Sequence, residues 1–223
     1  MKTKSLSGLD VCGVLCISLK ERADRRELLL KELEGTGLNI EFVLVDRDIE
    51  NPERGCFYSH QKCVSIAKDR NYKRVLILED DVKLMKVTTG QLKNINCFLA
   101  DNNYELFYLG ATLGKVWLTW SCNIARVRAQ GAFAYIVPSQ SYDKLLSFSF
   151  TGRGIDNIYS KNFKGYISFP LIARCQPEFL GKSDLASARN GDTADDAFWE
   201  SNYKKSYVEV LKNLPKTVFR INL

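Results

Sequence analysis

Residues 75–82 read VLILEDDV, an apolar run that ends in three adjacent carboxylates. The run is rich in branched apolar residues and predicts a strand that is buried on both faces. Adjacent acids repel one another, and burying them unpaired costs free energy, so a divalent cation would relieve the repulsion. Hard cations such as Mg²⁺ or Mn²⁺ take oxygen ligands and also bind phosphate, and ligands of α/β sheets bind at the carboxyl ends of strands. We therefore expect a metal that holds a phosphate-bearing substrate. The alternative is an acidic turn that is simply solvated.

The composition is typical of a globular protein. Of the 223 residues, 45% are hydrophobic and 26% are charged, which is enough apolar material for one domain spanning residues 1–223. The net charge of +6 is scattered among acids, and the sequence has no basic stripe with interleaved aromatics that would indicate a nucleic-acid surface. A phosphate-bearing small molecule is enough to account for this modest positive charge.

The cysteines and the amino terminus bear on the cellular compartment. The seven cysteines include no C-x-x-C pair with zinc spacing, and their number is odd. The first residues have no apolar stretch long enough for a signal peptide, and no window approaches a transmembrane segment. We therefore expect reduced thiols and a cytoplasmic location.

The order of predicted elements indicates an α/β fold. Strands are expected at 11–19, 40–45 and 73–79, and helices at 22–34 and 56–71 lie between them. Strands that alternate with helices in this way form a parallel sheet. The front half is therefore predicted to be Rossmann-like.

The rear half is predicted to be mixed. Its elements combine helices with short strands, at 91–101 (helix), 105–110 (strand), 114–137 (antiparallel pieces), 139–147 (helix with Ser139 as N-cap), 165–169 (strand) and 193–205 (helix). The segments 154–157 and 178–192 are expected to be loops. No clear linker separates the two halves.

A hydroxyl and several cations follow the first predicted strand. Ser18 lies at its carboxyl end, and Arg22 and Arg25 lie three residues apart, on one face of the next helix. Free N–H groups at a helix start bind anions, and arginine suits phosphate. These residues therefore predict a phosphate contact. The alternative is a solvated helix start in which an arginine pairs with Glu21 or Glu32.

Residues 55–60 read GCFYSH and contain the single histidine of the chain, His60. His60 and its neighbour Ser59 are candidate ligand contacts. A packed, hydrogen-bonded histidine is the alternative. No Ser-His-Asp order supports a hydrolase triad.

Two segments of the rear half are further candidates. Residues 130–137 alternate small and aromatic side chains, so Gly131 could leave room for a ligand against the backbone, or the segment could simply be tightly packed. Asp156 follows a glycine-flanked turn that could present its carboxylate to a cleft or to solvent.

Taken in order, these segments resemble glycosyltransferase family 25, which includes lipooligosaccharide and collagen galactosyltransferases. The resemblance covers roughly residues 11 to 187. Its matching pieces lie at 17–19, 24–26, 55–56, 59–60, 76–81, 131–135, Asp156, Pro170, Gln176 and 183–185.

The resemblance implies a GT-A-like fold with a nucleotide-sugar half at about 11–110 and an acceptor half at about 111–223. It also implies a UDP-sugar donor and Mn²⁺ or Mg²⁺. Asp81 would be the direct metal ligand and Asp80 the second. In a strand, residues two apart share a face, so Glu79 and Asp81 would face the nucleotide and Asp80 would turn aside unless the chain bends. Glu79 could instead hold the ribose.

The implied reaction is transfer of galactose or glucose, with inversion, to a hydroxyl group of a glycan, a lipid-linked glycan or a collagen-like protein. Asp156 is our candidate for the base, and Asp184 is the alternative. Several enzymes of this fold complete the metal shell with a late histidine, which this chain lacks, so Asp184 or a water would have to substitute. An inactive nucleotide-sugar or glycan binding module therefore stays as an alternative. A phosphoacceptor receiver domain fits less well, because receivers carry their acidic pair on the first strand.

Overall fold

The computed structural model describes residues 2–3, 5–101, 103–176 and 196–219. The strands in this part of the chain are β1 (Lys2–Thr3), β2 (Gly13–Leu19), β3 (Ile40–Val45), β4 (Arg74–Glu79), β5 (Val82–Leu84), β6 (Val87–Thr88), β7 (Leu106–Tyr108), β8 (Leu113–Leu118), β9 (Ile124–Gln130), β10 (Ala134–Pro138), β11 (Gly165–Ser168) and β12 (Ala173–Cys175). The α-helices are α1 (Ala23–Leu33), α2 (Pro52–Asp69), α3 (Thr89–Ala100), α4 (Tyr142–Leu146), α5 (Ile155–Asn162), α6 (Asp196–Lys212) and α7 (Leu214–Val218).

An eight-stranded sheet runs through the molecule in the order β3-β2-β4-β10-β7-β11-β9-β8. The strands β3, β2 and β4 are parallel, whereas β10 is antiparallel to both β4 and β7. The remaining pairs combine parallel and antiparallel ladders. The predicted α/β class, with a parallel front half and a mixed rear half, is therefore confirmed.

The sequence of β4 explains its central position. Alternate side chains point to opposite faces of a strand, and both sets are apolar here. Val75 and Ile77 belong to the core cluster that also contains Phe57 of α2, whereas Leu76 and Leu78 belong to the cluster on the other face, with helices α1 and α3. All four side chains are fully buried. Helices therefore cover β4 on both sides, and the partly exposed Glu79 ends the strand at its carboxyl end.

Three local predictions are corrected. Residues 155–162 form helix α5, so Asp156 lies in the first turn of a helix and the predicted loop is wrong. Ser139 does not cap the following helix through its side chain, because a 3₁₀ turn occupies Ser139–Ser141 first. Helix α2 begins at Pro52, four residues earlier than predicted, because Asn51 caps it and proline suits the first helical position.

Among the described residues, no helix combines the length and the apolar character needed to cross a membrane. Residues 178–192, predicted as a loop, lie outside the described residues, and so does Asp184.

Candidate functional site

A cleft opens at the carboxyl edge of the parallel strands β2, β3 and β4, next to the first turns of α2. It encloses about 720 Å³, part of which is open solvent. The predicted site residues on its wall are Ser18, Arg25, Ser59, His60, Glu79, Asp80 and Asp81. Parallel strands present their carboxyl ends at one edge of a sheet, and this brings residues from three distant segments together.

Asp80 is neutralised by an arginine from the first turn of α1. Arg25 Nη1 lies 2.9 Å from Asp80 Oδ1, and both side chains are buried. The same Nη1 lies 3.6 Å from Asp81 Oδ2. Burial raises the pKa of Asp80, and the charge of Arg25 only partly offsets this effect. Arg25 therefore contacts the two aspartates of the cleft, as expected for a residue of a ligand site.

Asp81 is the least satisfied of the three acids. Its side chain is 22% exposed, and its Oδ1 is buried without a hydrogen-bond partner in the described residues. Burial and then the charge of Glu79 raise the pKa of Asp81 to about 7. The thiol of Cys175 lies beside the same carboxylate. An oxygen without a partner at the edge of a cleft is a suitable ligand for a cation.

The acidic triplet bends as the strand ends, because β4 stops at Glu79 and a turn covers residues 80–81. Asp80 therefore faces the cleft together with its neighbours. In a straight strand, Asp80 would point away from Glu79 and Asp81. The chain bends here, so all three acids line the cleft.

His60 is buried, with 1% of its surface exposed, and forms hydrogen bonds through both ring nitrogens. Nε2 lies 3.2 Å from Glu79 Oε1, and Nδ1 lies 2.8 Å from the hydroxyl of Tyr135. That hydroxyl lies 3.2 Å from the hydroxyl of Tyr159. Burial alone would lower the pKa of His60, but Cys56 and Glu79 outweigh it and raise the pKa to about 10. The histidine is thus both packed in the core and in contact with the acidic cleft.

The other predicted residues lie in different surroundings. Ser59 lines the cleft, but its hydroxyl donates to the Gly55 carbonyl at 2.7 Å, within its own helix. Arg22 lies outside the cleft lining and pairs with Asp24 at 2.9 Å. The structure therefore does not place Arg22 and Arg25 at one phosphate contact.

Gly131 and Asp156 form a separate contact at the start of β10 and α5. The Gly131 N–H donates to Asp156 Oδ2 at 2.9 Å. Neither residue is part of the cleft lining. The structure thus joins two residues that the sequence singled out independently, although it does not bring them to the wall of the acidic cleft.

Two residues in or next to the cleft lie in segments that carry the family resemblance but were not predicted as site residues. Arg26 donates to Ser18 Oγ at 3.2 Å and to the Leu19 carbonyl at 2.6 Å, and so holds the end of β2. Cys56 lies on the cleft wall one helical turn before His60. The i, i+4 spacing of a cysteine and a histidine was the signal that could have found Cys56.

Three solved structures show limited likeness to the chain. The A197 protein from STIV is 12% identical with a TM-score of 0.48, over 74% of this chain and 94% of that one. A glycosyltransferase involved in glycosylation of the major capsid of PBCV-1 is 16% identical with a TM-score of 0.35, over 60% and 63%. Mannose-1-phosphate geranyltransferase from Thermus thermophilus is 9% identical with a TM-score of 0.40, over 70% and 73%.

Comparison with curated proteins found no significant match. The family profile described as "Glycosyltransferase family 25 (LPS biosynthesis protein)" matches residues 44–151, a segment that contains α2 and the acidic triplet. The resemblance to glycosyltransferase family 25 is therefore confirmed over residues 44–151, and it supports a glycosyltransferase.

Proposed function

We propose that this protein moves a hexose, galactose or glucose, from a UDP-sugar to a hydroxyl group, with inversion at the anomeric carbon. The acceptor would be a glycan, a lipid-linked glycan or a collagen-like protein. The observation that supports this proposal most is the acidic pair on the cleft wall, inside the segment that matches glycosyltransferase family 25. The donor would bind mainly the half at 11–110, and the acceptor the half at 111–223.

Mn²⁺, or Mg²⁺, is the cation we propose for this cleft. Asp81 suits it because Oδ1 has no hydrogen-bond partner among the described residues. Asp80 would be the second carboxylate, although Arg25 already holds one of its oxygens. A bound cation would offset the negative charge that grows on the leaving diphosphate.

Other side chains of the cleft would orient the acids and the donor. One guanidinium, that of Arg25, lies close to both Asp80 and Asp81 and keeps their carboxylates together. Ser18 lines the cleft at the end of β2, and its hydroxyl, which donates to the Leu19 carbonyl at 3.4 Å, would donate to a phosphate oxygen instead. Glu79 would accept hydrogen bonds from the ribose.

Asp156 is the proposed base, which would take the proton of the acceptor hydroxyl. The Gly131 N–H holds one of its carboxylate oxygens and so orients the group. This role requires the donor sugar to extend from the acidic cleft toward the start of α5. Asp184 is the alternative base.

The change Asp81→Asn tests the cation site. We expect donor hydrolysis to fall roughly 10²–10³-fold, since one electrostatic contact to the leaving group is lost. Asn has nearly the same shape, so the protein should still fold. The assay is a panel of UDP-sugars with Mn²⁺, scored for hydrolysis, which needs no knowledge of the acceptor.

The matched control is Asp143→Asn, which removes an exposed acid that pairs with Lys68. It should leave hydrolysis unchanged. Normal turnover by Asp81→Asn, or by wild-type protein stripped of divalent cations, would show that the cation role is wrong. Binding of UDP-sugars without turnover would instead favour the nucleotide-sugar binding module.

A further inference from the structure

A second group of ligating atoms lies beside the acidic pair. Cys56 Sγ, a ring nitrogen of His60 and a carboxylate oxygen of Glu79 all lie within 4.8 Å of one another. Cys56 and His60 are one turn apart and therefore on the same face of α2. Glu79 reaches them from the end of β4, so the group joins a helix to the central strand of the sheet.

The spacing of these atoms suits a single metal ion. His60 Nε2 and Glu79 Oε1 are 3.2 Å apart. Two ligands bound to one zinc ion at about 2.0–2.1 Å with tetrahedral angles are about 3.3 Å apart. The two side chains would therefore need little movement to accept an ion between them.

The surroundings of His60 leave Nε2 as the ligating atom. Nδ1 lies 2.8 Å from the Tyr135 hydroxyl, which in turn lies 3.2 Å from the Tyr159 hydroxyl. When Nδ1–H donates to Tyr135, the lone pair of Nε2 points toward Glu79. Histidines that bind metals commonly donate their other ring N–H to such a partner, which fixes the orientation of the ring.

The group of ligating atoms is buried at His60 and accessible from the cleft at Glu79 and Cys56. His60 is buried, whereas the side chain of Glu79 is 33% exposed and Cys56 is partly buried. All three residues line the same cleft. Three protein ligands with an open position toward a cleft are typical of zinc sites that bind a water or a substrate atom.

We propose that Cys56, His60 and Glu79 form a site for a borderline-soft divalent metal, with Zn²⁺ as the best match. A thiolate and an imidazole favour such a metal over Mg²⁺, Ca²⁺ or Mn²⁺, which prefer oxygen ligands only. The fourth position would take a water or an oxygen atom of a molecule bound in the cleft. This site differs from the hard-cation site at Asp81, and Glu79 is then a metal ligand rather than a ribose contact.

Titration with Co²⁺ tests the proposal without any sugar or nucleotide. The full chain is stripped with a chelator, dialysed and titrated with Co²⁺, which reports thiolate ligation as a near-ultraviolet charge-transfer band. We expect one equivalent to produce this band together with the strong visible absorption of tetrahedral Co²⁺. One equivalent of Zn²⁺ should then abolish both.

Variants assign the site to its residues. Cys56→Ser should remove the charge-transfer band, whereas Cys122→Ser, which changes an exposed thiol, should keep it. Glu79→Gln should weaken Co²⁺ binding at least tenfold. Tyr135→Phe, which removes the partner of Nδ1, should weaken it roughly 10–100-fold. Thermal unfolding of each variant shows whether it still folds. Cys56→Ser should fold, because it is a conservative change on a partly exposed side chain.

Two results would overturn the proposal. One is the absence of a charge-transfer band at stoichiometric Co²⁺, in which case the three residues are only a hydrogen-bonded network. The other is a charge-transfer band that survives Cys56→Ser but is lost in Cys175→Ser. That result would identify Cys175, which lies beside Asp81, as the thiolate ligand. Neither result bears on UDP-sugar hydrolysis, so the two proposals fail separately.

Discussion

Gly131 has a backbone conformation that other residues rarely adopt, with φ at +88°. A Cβ added here would lie 2.3 Å from Thr112 Oγ1 and 3.0 Å from its backbone nitrogen. We expect Gly131→Ala to lower the free energy of unfolding by about 2–4 kcal/mol, because left-handed strain and overpacking add up. The change would also displace the N–H that holds Asp156. Urea denaturation measures the loss.

Gly152→Ala is the control that measures the cost of left-handed backbone strain without overpacking. The φ of Gly152 is +79°, but nothing lies within 4 Å of the position that a Cβ would take. Gly152→Ala should therefore cost only about 1–2 kcal/mol. Equal losses for the two variants would contradict the close approach of Thr112 to Gly131.

Helix α2 carries Cys56, Ser59 and His60, and its first turn depends on one side-chain cap. Asn51 Oδ1 accepts a hydrogen bond from the Arg54 N–H at 3.0 Å. Asn51→Ala should cost about 1 kcal/mol of stability, because this N–H loses its partner. It should also weaken UDP binding in the presence of Mn²⁺, measured by calorimetry, since the frayed turn forms part of the cleft wall.

Helix α3 provides the matched comparison. Thr88 caps it in the same way, accepting from the Gln91 N–H at 3.0 Å, and α3 does not line the cleft. Thr88→Ala should cost a similar amount of stability and leave UDP binding unchanged. If both variants weaken UDP binding equally, the effect of Asn51 acts through global stability and not through the cleft.

The free energy of unfolding should depend on pH through Asp81. Its pKa is raised to about 7 in the folded chain, above the ordinary value of 3.8, because of burial and the charge of Glu79. Between these values the folded state binds more protons than the unfolded state, so stability falls as the pH rises. Each unit of pKa difference corresponds to roughly 1.4 kcal/mol. Metal-free protein should therefore be less stable at pH 8 than at pH 5.

Thermal or urea unfolding in chelator, at pH values from 5 to 8, measures this dependence. The variant Asp81→Asn should lack this contribution and should be more stable than wild type at pH 8. Adding Mn²⁺ at pH 8 should recover part of the stability of the wild type only. Parallel pH profiles of the two proteins would contradict the raised pKa of Asp81.

The parallel half of the fold could be predicted from the sequence because its signals are local. Strand β4 is a short apolar run, and helices separate it from β2 and β3 in the chain. Helix α5 was missed because it has only eight residues and follows a glycine-rich turn. Its apolar residues, Ile155, Ile158 and Tyr159, do have helical spacing, and they are buried against the sheet.

The sequence by itself determined that a buried strand ends in three acids, because an apolar run and a charged end are properties of adjacent residues. Only the tertiary structure decided the environment of each acid. Arg25, 55 positions away, neutralises Asp80, while His60 contacts Glu79 and Asp81 keeps an oxygen without a partner among the described residues. These differences arise from packing between distant segments, where the position of one guanidinium or one imidazole ring sets the electrostatics, and no local pattern encodes that position.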